Sequence, residues 1–227
     1  MIKFKNGMKF LFIGNSATYV NEIPKSFKML AEEAGFFFET EQITLGGYTL
    51  RQHADAETEH GARVFDEIKK GYDVVFLQDN GNCISTEAHE GACRDATARL
   101  IAAIREAGAE PCFYVRPPYG YDAFGCTPIL QATRVDELFS DMASEHGVPC
   151  VYTNRAFVHA IRSTGYDLWC EDRGHTNAHG AYLIICTFFA TLFGVSASRL
   201  GAWRLDRADA TALATIADDV VFRGISI

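Results

Sequence analysis

Short apolar runs alternate along the chain with longer segments whose apolar residues recur at helical spacing. The short runs suit strands that are buried on both faces of a parallel sheet. The predicted strands are residues 8–13, 36–43, 73–77, 111–115 and 148–152. Strands that alternate with helices predict an α/β fold, in which helices cover both faces of one five-stranded parallel sheet.

The helical segments are bounded by proline and glycine in several places. Pro24 stands near the start of the first helix and Gly35 just past its end, and Gly61 is a weak point of the second. The predicted helices are residues 23–34, 49–70, 87–107, 129–145, 157–162, 183–195 and 207–221. Residues 183–195 are strongly apolar but too few to cross a bilayer, which indicates a buried helix. No repeat or linker is visible, so residues 1–227 are predicted to form a single domain.

Composition and charge exclude some classes of partner. The chain has 227 residues, 48% of them hydrophobic, and a net charge of −8. That length is sufficient for a substantial core. No basic stripe is present for a phosphate backbone, so a nucleic-acid partner is not expected. The first apolar run is short and lacks a small-residue cleavage site, so neither a signal peptide nor a membrane partner is expected.

The seven cysteines are odd in number, and no two have C-x-x-C spacing. They are Cys83, Cys93, Cys112, Cys126, Cys150, Cys170 and Cys186. This usage favours buried, reduced thiols in a cytoplasmic protein. A zinc cluster is not expected because close ligand pairs are missing, and no other cofactor is predicted. The dinucleotide fingerprint and the P-loop are also absent.

Small polar residues follow the first three predicted strands. They are Gly14-Asn15-Ser16, Gly46-Gly47 and Gln78-Asp79-Asn80. Open α/β sheets bind their ligands at the carboxyl ends of the strands. Ser16 is therefore the candidate nucleophile. The alternative is that Asn15 and Ser16 only cap the following helix.

A late polar loop contains Asp172 and His175, three residues apart. In a tight turn this spacing lets the carboxylate hold one ring nitrogen while the other faces a nucleophile. A serine, a base, an orienting acid and hydrogen-bond donors make up an acyl-transfer site. One alternative is a metal-dependent hydrolase that uses Asp172, His175 and His179. Another is a nonenzymatic module that binds a small ligand in the same cleft.

The four blocks together resemble the SGNH (GDSL-like) hydrolases. That family has a serine after the first strand, a glycine after the second, an asparagine after the third and a late D-x-x-H. The order of the blocks, from residue 14 to residue 175, agrees with the family over most of the chain. The details resemble a branch that reads G-N-S in place of G-D-S.

This resemblance implies a flavodoxin-like, three-layer α/β/α sandwich and a serine esterase mechanism. It implies that Ser16 attacks an ester carbonyl, that His175 transfers the proton and that Asp172 holds the imidazole. The implied oxyanion hole consists of the backbone N–H groups of Ser16 and Gly47 and the side chain of Asn80.

Two positions depart from the family pattern. The usual aspartate before the serine is Asn15, which is expected to alter local hydrogen bonding more than chemistry. The usual G-x-N-D is missing, so the asparagine position is assigned by aligning Gln78 with its glycine. The other candidate oxyanion donors are Asn82, Gln78 and Gly46.

Aromatic residues in two loops are expected to border the cleft, where they suit sugars or short acyl groups. They are Tyr119, Tyr121, Phe124 and Trp169. Arg116 either binds an anionic part of the substrate or pairs with an acid. The candidate substrate contacts are Asn15, Gln78, Arg116, Tyr119 and Trp169. The expected substrate is a short-chain, acetyl-type ester, with an acylated sugar as one carrier.

Overall fold

Five parallel strands form one sheet in the order β2-β1-β3-β4-β5 in a computed structural model, which describes residues 2–227. The strands are β1 (Met8–Gly14), β2 (Phe38–Thr44), β3 (Val74–Leu77), β4 (Glu110–Val115) and β5 (Cys150–Tyr152). Each neighbouring pair runs parallel, as the apolar runs predict. This order is that of flavodoxin-like folds, in which the direction of winding reverses between β1 and β3.

The helices connect these strands in the predicted alternation. They are α1 (Ser16–Tyr19), α2 (Ile23–Glu33), α3 (Leu50–His53), α4 (Glu59–Ile68), α5 (Glu87–Glu106), α6 (Pro128–His146), α7 (Thr153–Ser163), α8 (Ala178–Phe193) and α9 (Arg207–Phe222). Short 3-10 turns occupy Val20–Glu22, Asn82–Ile84 and Ala197–Arg199.

The prediction of one helix over residues 49–70 is wrong, because this segment forms the two helices α3 and α4. The break lies at residues 54–58, and Gly61 lies inside α4. The Thr58 hydroxyl accepts the Gly61 N–H at 3.0 Å and so caps the start of α4. A β-carbon at Gly61 would collide with the backbone carbonyl of Asp55. This glycine therefore permits the close approach of Asp55 to α4, and the helix break lies before it, at residues 54–58.

Several other boundaries also differ from the predicted ones, three of them as follows. Strand β2 begins at residue 38, two residues later than predicted. Helix α7 begins at residue 153, four residues before the predicted start. Helix α8 begins at residue 178, five residues early, because the Asn177 side chain accepts the Gly180 N–H at 3.1 Å. The pattern of apolar positions does not show this start, because the first turn of α8 contains polar and small residues.

The two faces of the sheet bury separate apolar layers, so the fold is a three-layer sandwich. Alternate strand residues such as Phe12 and Phe76 pack on the face that α2, α7, α8 and α9 cover. Their neighbours Leu11 and Leu77 pack on the opposite face, against α3, α4, α5 and α6. The expected α/β/α architecture is confirmed. The single-domain assignment of residues 1–227 stays a prediction.

Phe188 of α8 is the centre of an aromatic cluster beneath β1 and β3. Its ring lies 5.0–5.7 Å, between centroids, from four other aromatic rings. These rings are Phe12, Phe27, Phe76 and Tyr114. The whole cluster is excluded from solvent, so α8 is an interior helix of the protein. Within residues 2–227 no helix combines the length and apolarity that a membrane span requires.

Phe188→Ala is expected to lower the free energy of unfolding by about 3–5 kcal/mol, because it leaves a cavity in the centre of this cluster. The matched control is Phe222→Ala on α9, where the side chain is 49% exposed. That change is expected to alter stability by no more than about 0.5 kcal/mol. Urea unfolding followed by circular dichroism measures both variants. Equal losses for the two would contradict the interior placement of α8.

Candidate active site

The chain turns sharply where β1 ends, and Asn15 organises the turn. Its backbone is extended (φ −132°), and its side-chain oxygen accepts the N–H of Ala17 at 3.0 Å. Its amide nitrogen donates to the Tyr48 carbonyl at 2.8 Å, which joins the turn to the loop after β2. Asn15 is buried. Its side chain therefore holds the turn, as expected for a helix N-cap.

Ser16 is the first residue of α1, and Asn15 caps this short helix from outside. Within the described residues 2–227, the Ser16 hydroxyl makes no hydrogen bond. The Ser16 N–H likewise has no intramolecular acceptor there, as is usual in the first turn of a helix. The residue is partly exposed at the carboxyl end of the sheet. Its hydroxyl and its N–H are thus both available to a ligand.

Gln78 connects the ends of β1 and β3 through its buried carboxamide. Its oxygen accepts the Asn15 N–H at 3.0 Å and the Thr18 hydroxyl at 2.9 Å. Its nitrogen donates to the carbonyl of Asp79. Gly14 is required beside it, since a β-carbon there would lie 2.6 Å from the Gln78 oxygen. All the polar atoms of the Gln78 side chain are used inside the protein.

Asp79 lies beneath the same edge of the sheet and is buried. One carboxyl oxygen accepts the Leu50 N–H at 2.8 Å and the other accepts the Gly81 N–H at 3.0 Å. Burial raises the pKa of the Asp79 carboxyl, while these two hydrogen bonds oppose the rise. The carboxyl thereby joins the start of α3 to the loop after β3.

Asn80 links the loop after β3 to the glycine turn after β2. Its side-chain nitrogen donates to the Gly47 carbonyl at 2.7 Å, and its side-chain oxygen accepts the Asn82 N–H at 2.8 Å. Gly47 has a left-handed backbone (φ +73°), which glycine adopts without strain. Within the part of the chain that the structure describes, the N–H groups of Gly46 and Gly47 donate to no carbonyl.

Arg116 and Tyr119 both donate hydrogen bonds to the backbone carbonyl of Asn80. Arg116 Nη1 donates to the Asn80 carbonyl at 2.6 Å, and the Tyr119 hydroxyl donates to the same oxygen at 2.9 Å. The guanidinium lies 3.9 Å from the centroid of the Tyr119 ring, a cation–π contact. Arg116 is only 7% exposed. It positions the Asn80 backbone and does not present its charge to solvent.

Trp169, one of the aromatic residues expected to border the cleft, lies inside the protein. It is buried, its indole N–H donates to the Pro118 carbonyl at 3.0 Å, and its ring packs against Phe157. Tyr121 is the exposed member of the aromatic set, at 45%, and its ring stacks on Tyr119 with 5.2 Å between centroids.

Asp172 and His175 form a direct pair in the loop before α8. Asp172 Oδ2 lies 2.6 Å from His175 Nδ1. Asp172 Oδ1 accepts the backbone N–H groups of Gly174 at 2.9 Å and His175 at 3.0 Å. The hydrogen bond from His175, together with these two N–H groups, lowers the pKa of the Asp172 carboxyl to about 2. An ionised Asp172 favours the tautomer with hydrogen on Nδ1, which leaves Nε2 as an acceptor.

Asn21 ties this histidine loop to the segment that carries Ser16. Its side-chain nitrogen donates to the carbonyl of Thr176, the residue after His175, at 2.6 Å. Asn21 and Glu22 both have left-handed backbones, at φ +62° and +52°. No hydrogen bond joins the Ser16 hydroxyl to the His175 ring within residues 2–227. Catalytic hydrogen bonds are often long in unliganded enzymes and shorten when substrate binds.

Sequence reasoning missed the role of Asn21. The residue lies in none of the four motif blocks, and its partner is 155 positions away. Its one local signal is the readiness of asparagine to adopt a left-handed backbone.

The alternative metal site at Asp172, His175 and His179 is not assembled. His179 Nε2 pairs with Asp209 Oδ2 at 2.9 Å, and the Tyr166 hydroxyl donates to the other oxygen of Asp209 at 2.6 Å. His179 thus anchors the start of α8 to α9. Among residues 2–227, the three metal-type donors that lie within 4.8 Å of one another belong to a different set.

The pKa of Asp172 predicts a window of pH sensitivity. Because the folded value of about 2 lies below the ordinary 3.8, the pair stabilises the fold above pH 3.8. That contribution is expected to disappear as the pH falls from 3.8 to about 2. An NMR titration of the Asp172 carboxyl carbon measures its midpoint directly.

Asp172→Asn is expected to flatten the pH dependence of the unfolding free energy in this window. Asp122→Asn, at an exposed loop position, is the control and should retain the wild-type slope. An Asp172 midpoint near 3.8 would contradict the pair.

No protein-family model matches this sequence, and no curated protein sequence matches it. Solved structures do match. A DUF4886 family protein from Bacteroides uniformis aligns over 98% of this chain and 97% of its own, with a TM-score of 0.81 and 16% identity. A candidate SGNH hydrolase from Slackia heliotrinireducens aligns over 81% of this chain and 97% of its own, with a TM-score of 0.67 and 24% identity.

An acetylxylan esterase from Geobacillus stearothermophilus is also similar. It aligns over 86% of this chain and 98% of its own, with a TM-score of 0.64 and 16% identity. The fold expected from the four motif blocks is thereby confirmed. The three-layer α/β/α fold of this chain is therefore similar to that of these solved structures.

Proposed function

We propose that this protein is a serine esterase of the SGNH type, which hydrolyses short-chain O-acyl esters through an acyl-enzyme. One observation carries the proposal: an Asp172–His175 pair, 2.6 Å between Oδ2 and Nδ1, sits on a loop that Asn21 ties to the Ser16 segment. Ser16 itself follows β1, at the point where the winding of the sheet reverses. That point is the usual ligand site of an open α/β sheet.

In the proposed mechanism the Ser16 hydroxyl attacks the ester carbonyl while His175 Nε2 takes its proton. His175 then delivers that proton to the departing alcohol, which leaves the acyl group on Ser16. Water attacks the acyl-enzyme with the same histidine as base, and the carboxylic acid is released. Asp172 keeps the ring in the correct tautomer and stabilises the imidazolium that forms in each half-reaction.

The negative charge on the carbonyl oxygen requires donors at the same edge of the sheet. We assign them to the backbone N–H groups of Ser16 and Gly47 and to the side chain of Asn80. The first two donate to no intramolecular acceptor among residues 2–227. Asn80 bonds Gly47 with one amide hydrogen, so its second remains for the substrate. Gln78 is a weaker candidate because its carboxamide is fully used in the interior.

An acetyl-type ester on a carbohydrate is the proposed substrate. The similarity to an acetylxylan esterase supports this class. The exposed ring of Tyr121, stacked on Tyr119, provides a flat apolar surface of the kind that sugars contact. Seven free cysteines support the expected cytoplasmic location, where thiols stay reduced.

Ser16→Ala is expected to abolish hydrolysis of p-nitrophenyl esters and labelling by a fluorophosphonate probe, because both need the hydroxyl nucleophile. Mass spectrometry of the labelled wild type should locate the adduct on Ser16. With wild type, the rate should fall as the acyl chain of the ester lengthens from acetyl. Ser163→Ala, at an exposed serine at the end of α7, is the control and should keep full activity.

Unchanged turnover in Ser16→Ala would exclude the serine mechanism. A preference for long acyl chains would overturn the proposed substrate class while leaving the mechanism intact. Tight binding of a sugar ester without turnover would favour a binding module.

Asn80→Ala is expected to lower kcat by about 10²–10³, the usual cost of one oxyanion donor. KM for the same ester should change little, because the donor acts on charge that develops in the transition state. Asn82→Ala is the discriminating variant: a comparable loss there, with Asn80→Ala near wild type, would reassign the donor to Asn82. Thermal unfolding of both variants separates a catalytic loss from a folding defect.

A further inference from the structure

Three buried side chains with metal-binding atoms converge below the loop after β3. Asp79 follows β3, Cys83 lies in the 3-10 turn Asn82–Ile84, and Cys93 lies on α5. Their ligand atoms all lie within 4.8 Å of one another. Each residue is at most 3% exposed. None of these three side chains takes part directly in the proposed ester hydrolysis.

A cavity of about 370 Å³ opens onto these donors. Asp79, Cys83 and Cys93 line it together with His89, Thr49 and Gln52. His89 precedes Cys93 by four residues on α5, so both side chains lie on the same face of that helix. The cavity therefore collects two thiols, a carboxylate and an imidazole, and it gives an ion a route to them.

The chemistry of this donor set matches a tetrahedral zinc-type ion. Zn²⁺ binds thiolate, imidazole and carboxylate ligands, four at a time. A Zn–S bond of about 2.3 Å in a tetrahedron puts neighbouring donors roughly 3.7 Å apart. Shifts of about 1 Å bring Asp79, Cys83 and Cys93 to this spacing, and His89, which lies outside their 4.8 Å set, reaches the ion by a rotation of its side chain. Asp79 accepts the N–H groups of Leu50 and Gly81 and also the Cys83 thiol. Loss of the thiol proton on metal binding would leave a carboxylate lone pair for the ion.

We propose that Asp79, Cys83 and Cys93 form a binding site for a divalent zinc-type ion, with His89 as the fourth ligand. The ion supplies the positive charge that a buried carboxylate and two deprotonated thiols require. It joins β3, the following turn and α5 in a single coordination sphere. Because Asp79 directly precedes Asn80, the site stabilises the loop that carries the Asn80 side chain.

The spacing of the four donors along the sequence does not indicate this metal site. The two cysteines are ten positions apart, and none of the four donors forms a close cysteine pair of the kind that marks zinc motifs. The expectation that the cysteines form no metal cluster rested on that missing pair. Helix α5 folds back against the turn and brings the donors together in three dimensions.

The test uses the full-length protein, reduced and freed of metal by a chelator, and titrated with Co²⁺. One equivalent of Co²⁺ should produce a thiolate-to-cobalt charge-transfer band in the near ultraviolet, and Zn²⁺ should displace it. Cys83→Ser and Cys93→Ser should each weaken or abolish the band. Cys126→Ser is the matched control, a buried cysteine outside the cluster, and should keep the band at full intensity.

Two further measurements do not depend on the folding of a variant. Zn²⁺ should raise the melting temperature of the wild type, since it binds the native state. Zn²⁺ should also protect Cys83 and Cys93 of the wild type from alkylation, as read by mass spectrometry, while Cys170 remains as reactive as before. His89→Ala should lower the Co²⁺ affinity and keep the charge-transfer band, and an unchanged affinity would remove His89 from the ligand set.

The absence of a charge-transfer band in the folded, reduced wild type would overturn the proposal. So would a band that survives both Cys83→Ser and Cys93→Ser at full strength, or a lack of zinc protection at these two thiols. Ester hydrolysis is not a readout in any of these experiments, so their outcome is independent of the proposed function.

Discussion

The buried carboxamide of Gln78 is the contact on which the geometry of the sheet edge depends. Its oxygen receives one N–H and one hydroxyl from the turn after β1, and its nitrogen holds the backbone after β3. A buried amide that lost any of these partners would leave a polar atom unsatisfied, at a cost of about 1–3 kcal/mol. The same side chain therefore fixes where Ser16 leaves the sheet and where Asn80 begins its loop.

Two further sets of hydrogen bonds hold the same edge of the sheet. Asp79 secures the start of α3, and Arg116 with Tyr119 holds the carbonyl of Asn80. Ser16 and Asn80 are thus partly exposed, whereas the side chains of Gln78, Asp79 and Arg116, which hold their segments, are buried. Such a division is typical of sites in which rigid elements hold the reacting groups.

The order of the elements was largely predictable from the sequence. Strands that are buried on both faces have continuous apolar sequences, so each of the five strands begins within two residues of its predicted start. Helix starts were harder, as α8 shows, because a capping residue such as Asn177 resembles an ordinary loop residue. The break between α3 and α4 depends on a close packing of Gly61 against Asp55, which no periodicity reveals.

The contacts of the candidate site also fall into those that the sequence predicts and those that it does not. The pairing of Asp172 with His175 follows from local spacing, so the sequence is sufficient to predict it. The hydrogen bond from Arg116 to the Asn80 carbonyl could not be predicted in this way, because the two residues lie 36 positions apart in the sequence. From the sequence alone, a positively charged side chain in a loop, such as Arg116, suggests a binding site for an anion. Only the packing of Tyr119 and the loop after β3 shows that it is an internal support.

The consecutive left-handed residues Asn21 and Glu22 make the Ser16 segment dependent on the interior helix α8. Glutamate in this conformation costs of order 1 kcal/mol, and such strain persists only where surrounding structure holds it. Part of that hold comes from the carbonyl of Thr176, which lies two residues before the start of the interior helix α8. Because this contact links the Ser16 segment to the loop that carries His175, a local opening of α8 would be expected to separate the two residues.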